Sequence, residues 1–261
     1  LSNAYNDFLK VVMDNPDLIA LAVVGDGEAE TGPLEGSWKG ISFLNPTRDG
    51  AVLPILHLNG AKIAGPTVLA RKDPAEVRSL LEGHGYDVIE VTGDDLPGMH
   101  HRFAEALARS WTGIRGIQAA ARGGSWDGVR PRWPMIVLRT PKGWTGPSVV
   151  DGVRVVGTWR SHQVPLAGIK GNDEHLRILE GWLRSYRPDE LFDDGGRPTE
   201  LVRRANPEGA YRMSGSPHAN GGLLTVDLDL PDFREYALDV PRPAYLRAES
   251  TRRLGELMRD I

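Results

Sequence analysis

Cysteine is absent from this 261-residue sequence. Disulfide bonds, thiolate metal sites and a cysteine nucleophile are therefore excluded. Long apolar stretches are also missing, since the longest, residues 18–24, falls far short of the roughly 18 residues that a membrane-spanning helix needs. No signal peptide is recognisable. Together these absences predict a cytoplasmic protein that has no membrane partner.

The sequence also has no excess of basic residues. It has 31 Lys and Arg against 35 Asp and Glu, which gives a net charge of -4 and a pI near 6.0. A protein that binds nucleic acid non-specifically usually carries a basic surface, so nucleic acid is not an expected partner. The composition is that of a folded globular protein, with 40% hydrophobic and 25% charged residues.

Apolar segments of strand length alternate with amphipathic segments of helix length over the first 150 residues. Strands are predicted at 18–24, 52–58, 88–91 and 135–138, and helices at 3–13, from Pro33, after Asp73 and around 103–117. This alternation predicts an α/β fold with a mostly parallel sheet flanked by helices on both faces. The first strand is a continuous apolar run, which predicts burial on both of its faces.

The character of the chain changes after residue 150. Glycine, proline and charged residues become more frequent, and helices are predicted only at 176–186, 199–205 and 251–261. We therefore predict two parts. Residues 1–150 form an α/β core, and residues 151–261 form an active-site loop followed by an irregular C-terminal extension.

Polar residues follow the first two predicted strands at their carboxyl ends, where parallel sheets place their ligands. Gly25, Asp26 and Gly27 follow the first strand, and Asn59 ends the second. Glycines let backbone N–H groups approach a phosphate, and Asp and Asn oxygens suit Mg²⁺. The carbonyl of Ala61 offers another oxygen. A Gly-Asp-Gly turn is more often free of ligand, but this strand context raises a metal–diphosphate site to an equal alternative.

Four longer blocks carry a family resemblance. Residues 25–34, 56–60, 140–146 and 161–166 resemble phosphoketolase in the same order and at similar spacing, and the Gly-Asp-Gly…Asn pattern resembles the thiamine-diphosphate signature of the transketolase superfamily. One departure is at residues 59–66, Asn-Gly-Ala-Lys-Ile-Ala-Gly-Pro, where the family tends to have Asn-Gly-Tyr-Lys-Ile-Ala-Asn-Pro. Because Asn59 is retained, the departure affects the packing of the loop more than metal binding.

The resemblance implies a thiamine-diphosphate-binding fold and a carbon–carbon lyase that uses thiamine diphosphate and Mg²⁺. Such an enzyme cleaves xylulose 5-phosphate or fructose 6-phosphate with inorganic phosphate, giving acetyl phosphate and an aldose phosphate. A homodimer or higher assembly is expected. By the matching motifs, the metal ligands are Asp26, Asn59 and the carbonyl of Ala61. The implied cofactor-binding residues are Gly25, Asp26, Gly27, Glu28, Asn59, Ala61 and Lys142.

Three residues take catalytic roles by the same resemblance. Lys142 and His162 would face the reacting carbons as a cation and as an acid/base, and Gln163 would help hold substrate or phosphate. Taken alone, a single His or a loop Lys is more often a surface residue. His57 either orients a neighbour or fills space near the cofactor, and the sequence leaves both open. His100 and His101 are adjacent on a helix and point apart, so they are predicted to be surface residues.

The glutamate that activates the aminopyrimidine ring belongs, in this superfamily, to a pyrimidine-binding domain that these residues do not supply. We therefore expect residues 151–261 to lead toward such a domain and this chain alone to be inactive. Two other hypotheses stay open. One is a transketolase-like enzyme with an aldose acceptor, and the other is a non-catalytic module that binds a Mg²⁺–diphosphate ligand.

Overall fold

The computed structural model describes residues 4–162, 165–212, 229–242 and 250–261. The chain forms two compact units, Leu1–Thr199 and Glu200–Ile261. The first unit contains the α/β core and also residues 151–199. Among the described residues, no helix is long and apolar enough to cross a membrane.

A four-stranded parallel sheet forms the centre of the first unit. Its strands are β1 (Ile19–Gly25), β2 (Ala51–Leu58), β3 (Tyr86–Thr92) and β4 (Trp133–Arg139). They lie in the order β1-β2-β4-β3, and each neighbouring pair is parallel. The predicted α/β fold is therefore confirmed. The parallel pairing brings the carboxyl ends of β2 and β4, the two central strands, to the same edge as the end of β1.

Helices pack against this sheet. The helices of the first unit are α1 (Ala4–Val12), α2 (Asp26–Ala29), α3 (Gly32–Ser37), α4 (Pro74–His84), α5 (Leu96–Arg122) and α6 (Asp173–Ser185). α1 packs on β1 and β2, while α4 and α5 pack on β3 and β4. The carboxylate of Asp73 caps α4 by accepting from Ala75 N at 2.8 Å, and Gly85 ends the helix with a φ of 104°.

The prediction that β1 is buried on both faces is wrong. Leu21 and Val23 are 51% and 70% exposed, whereas Ala22 and Val24 are buried. β1 is an edge strand of the sheet. One face of the strand packs on the core, and no described residue covers the other face. Burial therefore alternates along β1 with a period of two, whereas a central strand would be buried on both faces.

Short elements complete the structure. Residues 149–154 form a hairpin of β5 (Val149–Val150) and β6 (Val153–Arg154), which the sequence analysis did not predict. Single turns of 3₁₀ helix occur at Leu69–Arg71, Trp159–Ser161 and Pro188–Glu190, and a longer one at Trp38–Phe43. The described residues of the second unit form α7 (Glu200–Ala205), α8 (Ser250–Asp260) and two 3₁₀ turns. Each predicted helix overlaps an observed one.

Candidate functional site

Asp26 is the first residue after β1, and its carboxylate is buried at 2% exposure. Oδ1 accepts a hydrogen bond from Gly27 N at 2.9 Å. Oδ2 accepts from Gly60 N at 2.7 Å and from the hydroxyl of Thr67 at 3.2 Å. The carboxylate at the end of one strand therefore holds the backbone that follows the neighbouring strand.

No lysine, arginine or histidine of the described chain forms an ion pair with the Asp26 carboxylate. Burying a carboxylate without a cation is costly, so this position favours a cationic ligand. No group of three or more His, Asp or Glu among the described residues could hold a metal. A metal at Asp26 would therefore depend on amide and carbonyl oxygens as well. These are the hard oxygen ligands that Mg²⁺ accepts, so the residues present fit that ion.

Asn59 and Ala61 supply such oxygens at the end of β2. The register places Gly25 opposite His57, so Asn59 follows β2 just beyond the point where Asp26 follows β1. The Asn59 Oδ1 accepts from Ala61 N at 3.2 Å, and Gly60 between them has a φ of 90°, which favours glycine. The structure thus brings the predicted ligand residues Asp26, Asn59 and Ala61 to one strand edge.

Lys142, which follows β4, joins this cluster. Its ammonium donates a hydrogen bond to the carbonyl of Ala61 at 2.7 Å. This carbonyl is also one of the three predicted metal ligands. A carbonyl oxygen has two lone pairs, so it can accept the ammonium and a second partner. The positive charges of the ammonium and of a metal ion bound to the same oxygen would nevertheless repel one another.

His57 lies on the same edge and was left open by the sequence. Its Nε2 lies 2.8 Å from the hydroxyl of Thr140. Burial lowers the pKa of His57, and the positive charge of Lys142 lowers it further, while the negative charge of Asp26 opposes them. The imidazole is therefore neutral at pH 7, and it lies within electrostatic range of both charged residues.

Glu28, predicted to lie along a diphosphate, turns back on its own segment. Its Oε2 accepts from Gly25 N at 3.3 Å. In this structure the carboxylate thus occupies one of the backbone N–H groups expected to face a phosphate. Gly27 leaves little space above it, because an added Cβ would lie 3.4 Å from Cγ of Lys62.

His162 lies exposed directly after the 3₁₀ turn Trp159–Ser161. This segment packs on the loop of Lys142. The Lys142 carbonyl accepts from Gly157 N at 2.8 Å and lies 3.1 Å from the Ser161 hydroxyl. His162 and Lys142 are therefore on adjoining segments. Gln163 lies outside the described residues.

A cavity of about 440 Å³ opens beside Asn59. Its walls come from the ends of β2, β3 and β4 and include Asp94, Arg139 and Thr140. Two guanidinium nitrogens of Arg139, Nε and Nη2, are buried and have no hydrogen-bond partner in the described chain. Arg139 is not among the predicted site residues. Its only sequence signal is a basic residue at the end of a buried strand.

Comparison with known proteins now decides the family. The family model described as "XFP N-terminal domain" matches residues 1–224, which is most of the chain. The chain belongs to the phosphoketolase family. A probable phosphoketolase of Mycolicibacterium paratuberculosis is 60% identical over 248 residues, covering 95% of this chain and 31% of the relative.

Other phosphoketolase relatives agree. A probable phosphoketolase of Mesorhizobium japonicum is 54% identical over 262 residues, covering all of this chain and 32% of the relative. One of Streptomyces coelicolor is 55% identical over 261 residues, with the same coverage. This chain therefore spans about a third of the length of the curated phosphoketolases that it matches. The predicted resemblance to phosphoketolase is confirmed, and the family model places it in the N-terminal domain.

Proposed function

We propose that this chain supplies the magnesium- and diphosphate-binding part of a thiamine-diphosphate-dependent phosphoketolase. The reaction is the cleavage of xylulose 5-phosphate or fructose 6-phosphate with inorganic phosphate, which gives acetyl phosphate and an aldose phosphate. One observation carries the proposal. The buried carboxylate of Asp26 has no cationic partner in the described chain, yet it holds the turn after Asn59 through Gly60 N.

The proposed metal ligands are Asp26, Asn59 and the carbonyl of Ala61. Three hydrogen bonds to the Asp26 carboxylate leave part of its acceptor capacity for a cation. The diphosphate would lie along Gly25, Gly27 and Glu28. Since the Glu28 carboxylate accepts from Gly25 N, it has to move aside for a phosphate oxygen to take that N–H.

Thiamine diphosphate, when bound, supplies a nucleophilic carbon and a sink for the electron pair of the broken carbon–carbon bond. The chain's own residues would orient the substrate and move protons. Lys142 would place its ammonium beside an oxyanion of the substrate, and His162 would act as acid/base from the adjoining segment. Gln163 is proposed to hold substrate or phosphate.

A second candidate is a module that binds a Mg²⁺–diphosphate ligand without turnover of its own. In either case we propose a cytoplasmic protein that assembles as a homodimer or higher oligomer. A transketolase-like activity would show itself through an aldose acceptor in place of phosphate.

Titration of the chain with thiamine diphosphate, with and without Mg²⁺, tests the shared part of both candidates. We expect saturable binding that depends on Mg²⁺ and is lost in Asp26→Ala. Acetyl phosphate formation from xylulose 5-phosphate and phosphate would establish the enzyme. Binding without turnover by this chain is expected of both candidates, because this chain alone is expected to be inactive. Binding that is independent of both Mg²⁺ and Asp26 would overturn the proposal.

A further inference from the structure

The loop that carries the Ala61 carbonyl has little apolar packing to fix its shape. This loop, Gly60–Thr67, forms a bridge between Ala61 and Pro66, with Lys62 N donating to the Gly65 carbonyl at 2.7 Å. Half of its residues are exposed, and Ile63 is 60% exposed. Polar contacts from outside the loop must therefore hold the Ala61 carbonyl in place.

Lys142 binds the carbonyl itself, and two carboxylates four residues apart provide most of the other contacts. Asp26 binds the two ends of the loop, at Gly60 N and at the Thr67 hydroxyl. Glu30 binds the side that Asp26 does not reach. One oxygen of Glu30 forms an ion pair with the ammonium of Lys62, and the other accepts from Val68 N at 2.5 Å.

Glu30 differs from the neighbouring glutamates in burial and in partners. Its side chain is 9% exposed, whereas that of Glu35 is 42% exposed and contacts His84. Glu28 contacts the backbone of its own turn. A carboxylate this well buried forms stronger hydrogen bonds than one in water, and Lys62 compensates its charge. Asp26, by contrast, forms no such ion pair with any of the described residues.

We infer that Glu30 is a positioning residue, which orders the Gly60–Thr67 loop and thereby fixes the Ala61 carbonyl for the metal. The inference rests on the proposed function for its metal part. Glu30 does not touch the metal. It acts through Lys62 and Val68, which leaves Asp26 free to serve both the loop and a cation.

Amide hydrogen exchange in the metal-free chain tests the loop part. Glu30→Gln retains an acceptor for Val68 N but loses the charge that pairs with Lys62. We expect exchange of the hydrogen-bonded loop amides, those of Gly60, Lys62, Thr67 and Val68, to rise about tenfold, because one lost charged contact makes a local opening easier. The amides of β2 should stay as protected as in the wild type. The matched control is Glu35→Gln, which should leave the loop unchanged.

Mn²⁺ affinity in the presence of thiamine diphosphate, followed by electron paramagnetic resonance, tests the metal part. Loss of an outer partner of a metal site typically weakens binding by about 10- to 100-fold, and we expect that range for Glu30→Gln. Lys62→Met should produce a similar loss. The double variant should be no weaker than the weaker single variant, because both changes remove one ion pair.

The outcomes distinguish a failure of the proposed function from a failure of the role inferred for Glu30. A wild-type chain that binds no Mn²⁺ with thiamine diphosphate would overturn the proposed function, and with it the metal part of this inference. Unchanged exchange in both Glu30→Gln and Lys62→Met would overturn the loop part, whatever the metal result. Lys62 is 45% exposed, so Lys62→Met keeps the test decisive if Glu30→Gln does not fold.

Discussion

The two ends of the parallel sheet handle buried polar groups in opposite ways. At the amino end, Tyr5 and Tyr86 share a hydrogen bond of 2.5 Å beside Trp38, and all three side chains are almost fully buried and neutral. At the carboxyl end, Asp26, Glu30 and Lys142 place charges around a single loop. Only the second arrangement leaves acceptor capacity for a ligand.

The difference shows that the amino end of the sheet contributes to stability and the carboxyl end to ligand binding. The tyrosines satisfy one another, with the Tyr86 hydroxyl donating to the Trp38 carbonyl at 3.3 Å. Asp26 instead remains a buried carboxylate without a cation in the part of the chain that the structure describes, which destabilises the unliganded chain. Four variants, three of them paired with a matched control, test this contrast between the two ends in order of decreasing expected effect.

Asp26→Asn should have the largest effect on ligand binding. Removing one charge of a buried ion pair costs about 3–5 kcal/mol, so we expect Mg²⁺-dependent binding of thiamine diphosphate to weaken on the order of 1,000-fold. The free energy of unfolding should fall only modestly in the metal-free chain, because the Asn amide loses one of the two acceptor oxygens but the substitution also removes an uncompensated charge. Calorimetric titration and urea unfolding measure the two effects.

Asp49→Asn is the matched control for Asp26→Asn. Asp49 is also buried, at 1% exposure, but it lies just before β2 at the amino end, where it accepts from Asp14 N and Asn45 N. This variant should destabilise the fold and leave metal binding unchanged. The contrast between the two ends fails if both aspartates affect binding and stability alike.

Gly143→Ala should disturb the carboxyl end by steric overlap. Gly143 has a φ of 71°, and an added Cβ would lie 2.3 Å from Cβ of Ser161. Overpacking together with a left-handed backbone should lower the free energy of unfolding by about 3 kcal/mol. Gly124→Ala, at φ 77° with no atom within 4 Å of the added Cβ, should cost only about 1 kcal/mol in urea unfolding. Equal costs for the two variants would show that the overlap with Ser161 is relieved by movement of the loop.

The sequence predicted those residues of the site that lie at the ends of strands. Asp26 and Asn59 follow apolar strands, so their proximity followed from parallel pairing alone. The contacts of Lys142 with Ala61 and of Glu30 with Lys62 and Val68 depend on the path of an exposed loop, which periodicity does not encode. The open face of β1 was missed for a related reason. An apolar run indicates a strand but does not reveal whether other elements cover both faces of that strand.

The buried tyrosine pair predicts how stability at the amino end depends on pH. Burial raises the pKa of both hydroxyls. Tyr5 raises the pKa of Tyr86 further, whereas the hydrogen bond with Tyr86 lowers the pKa of Tyr5 in part. The unfolded chain ionises near pH 10 while the folded chain stays neutral, so this stability is present below about pH 10 and is lost above it. Each tyrosine contributes about 1.4 kcal/mol per pH unit to that loss.

Tyr5→Phe removes one of these two ionisations. The difference between variant and wild type in urea unfolding should therefore shrink by about 1.4 kcal/mol per pH unit as pH rises above 10. The lysines and the remaining tyrosines titrate equally in both proteins, so their contributions cancel in this difference. A difference that is independent of pH would show that the pair is not buried as a neutral unit. Mg²⁺ affinity measured at pH 7 should not respond to this change.

Lys142→Met should have the smallest effect, and its sign is the informative part. The ammonium lies 2.7 Å from the Ala61 carbonyl, where it repels any cation bound by the same oxygen. Removing it should tighten Mn²⁺ binding, measured without cofactor, by about fivefold, which corresponds to roughly 1 kcal/mol. Lys39→Met removes the same charge from an exposed side chain at another position and should leave the affinity unchanged. Weaker Mn²⁺ binding in Lys142→Met would instead show that the ammonium holds the Ala61 carbonyl in its ligating position. In that case Lys142 would share the positioning role assigned to Glu30, and the positive charge at this end of the sheet would support the metal site rather than compete with it.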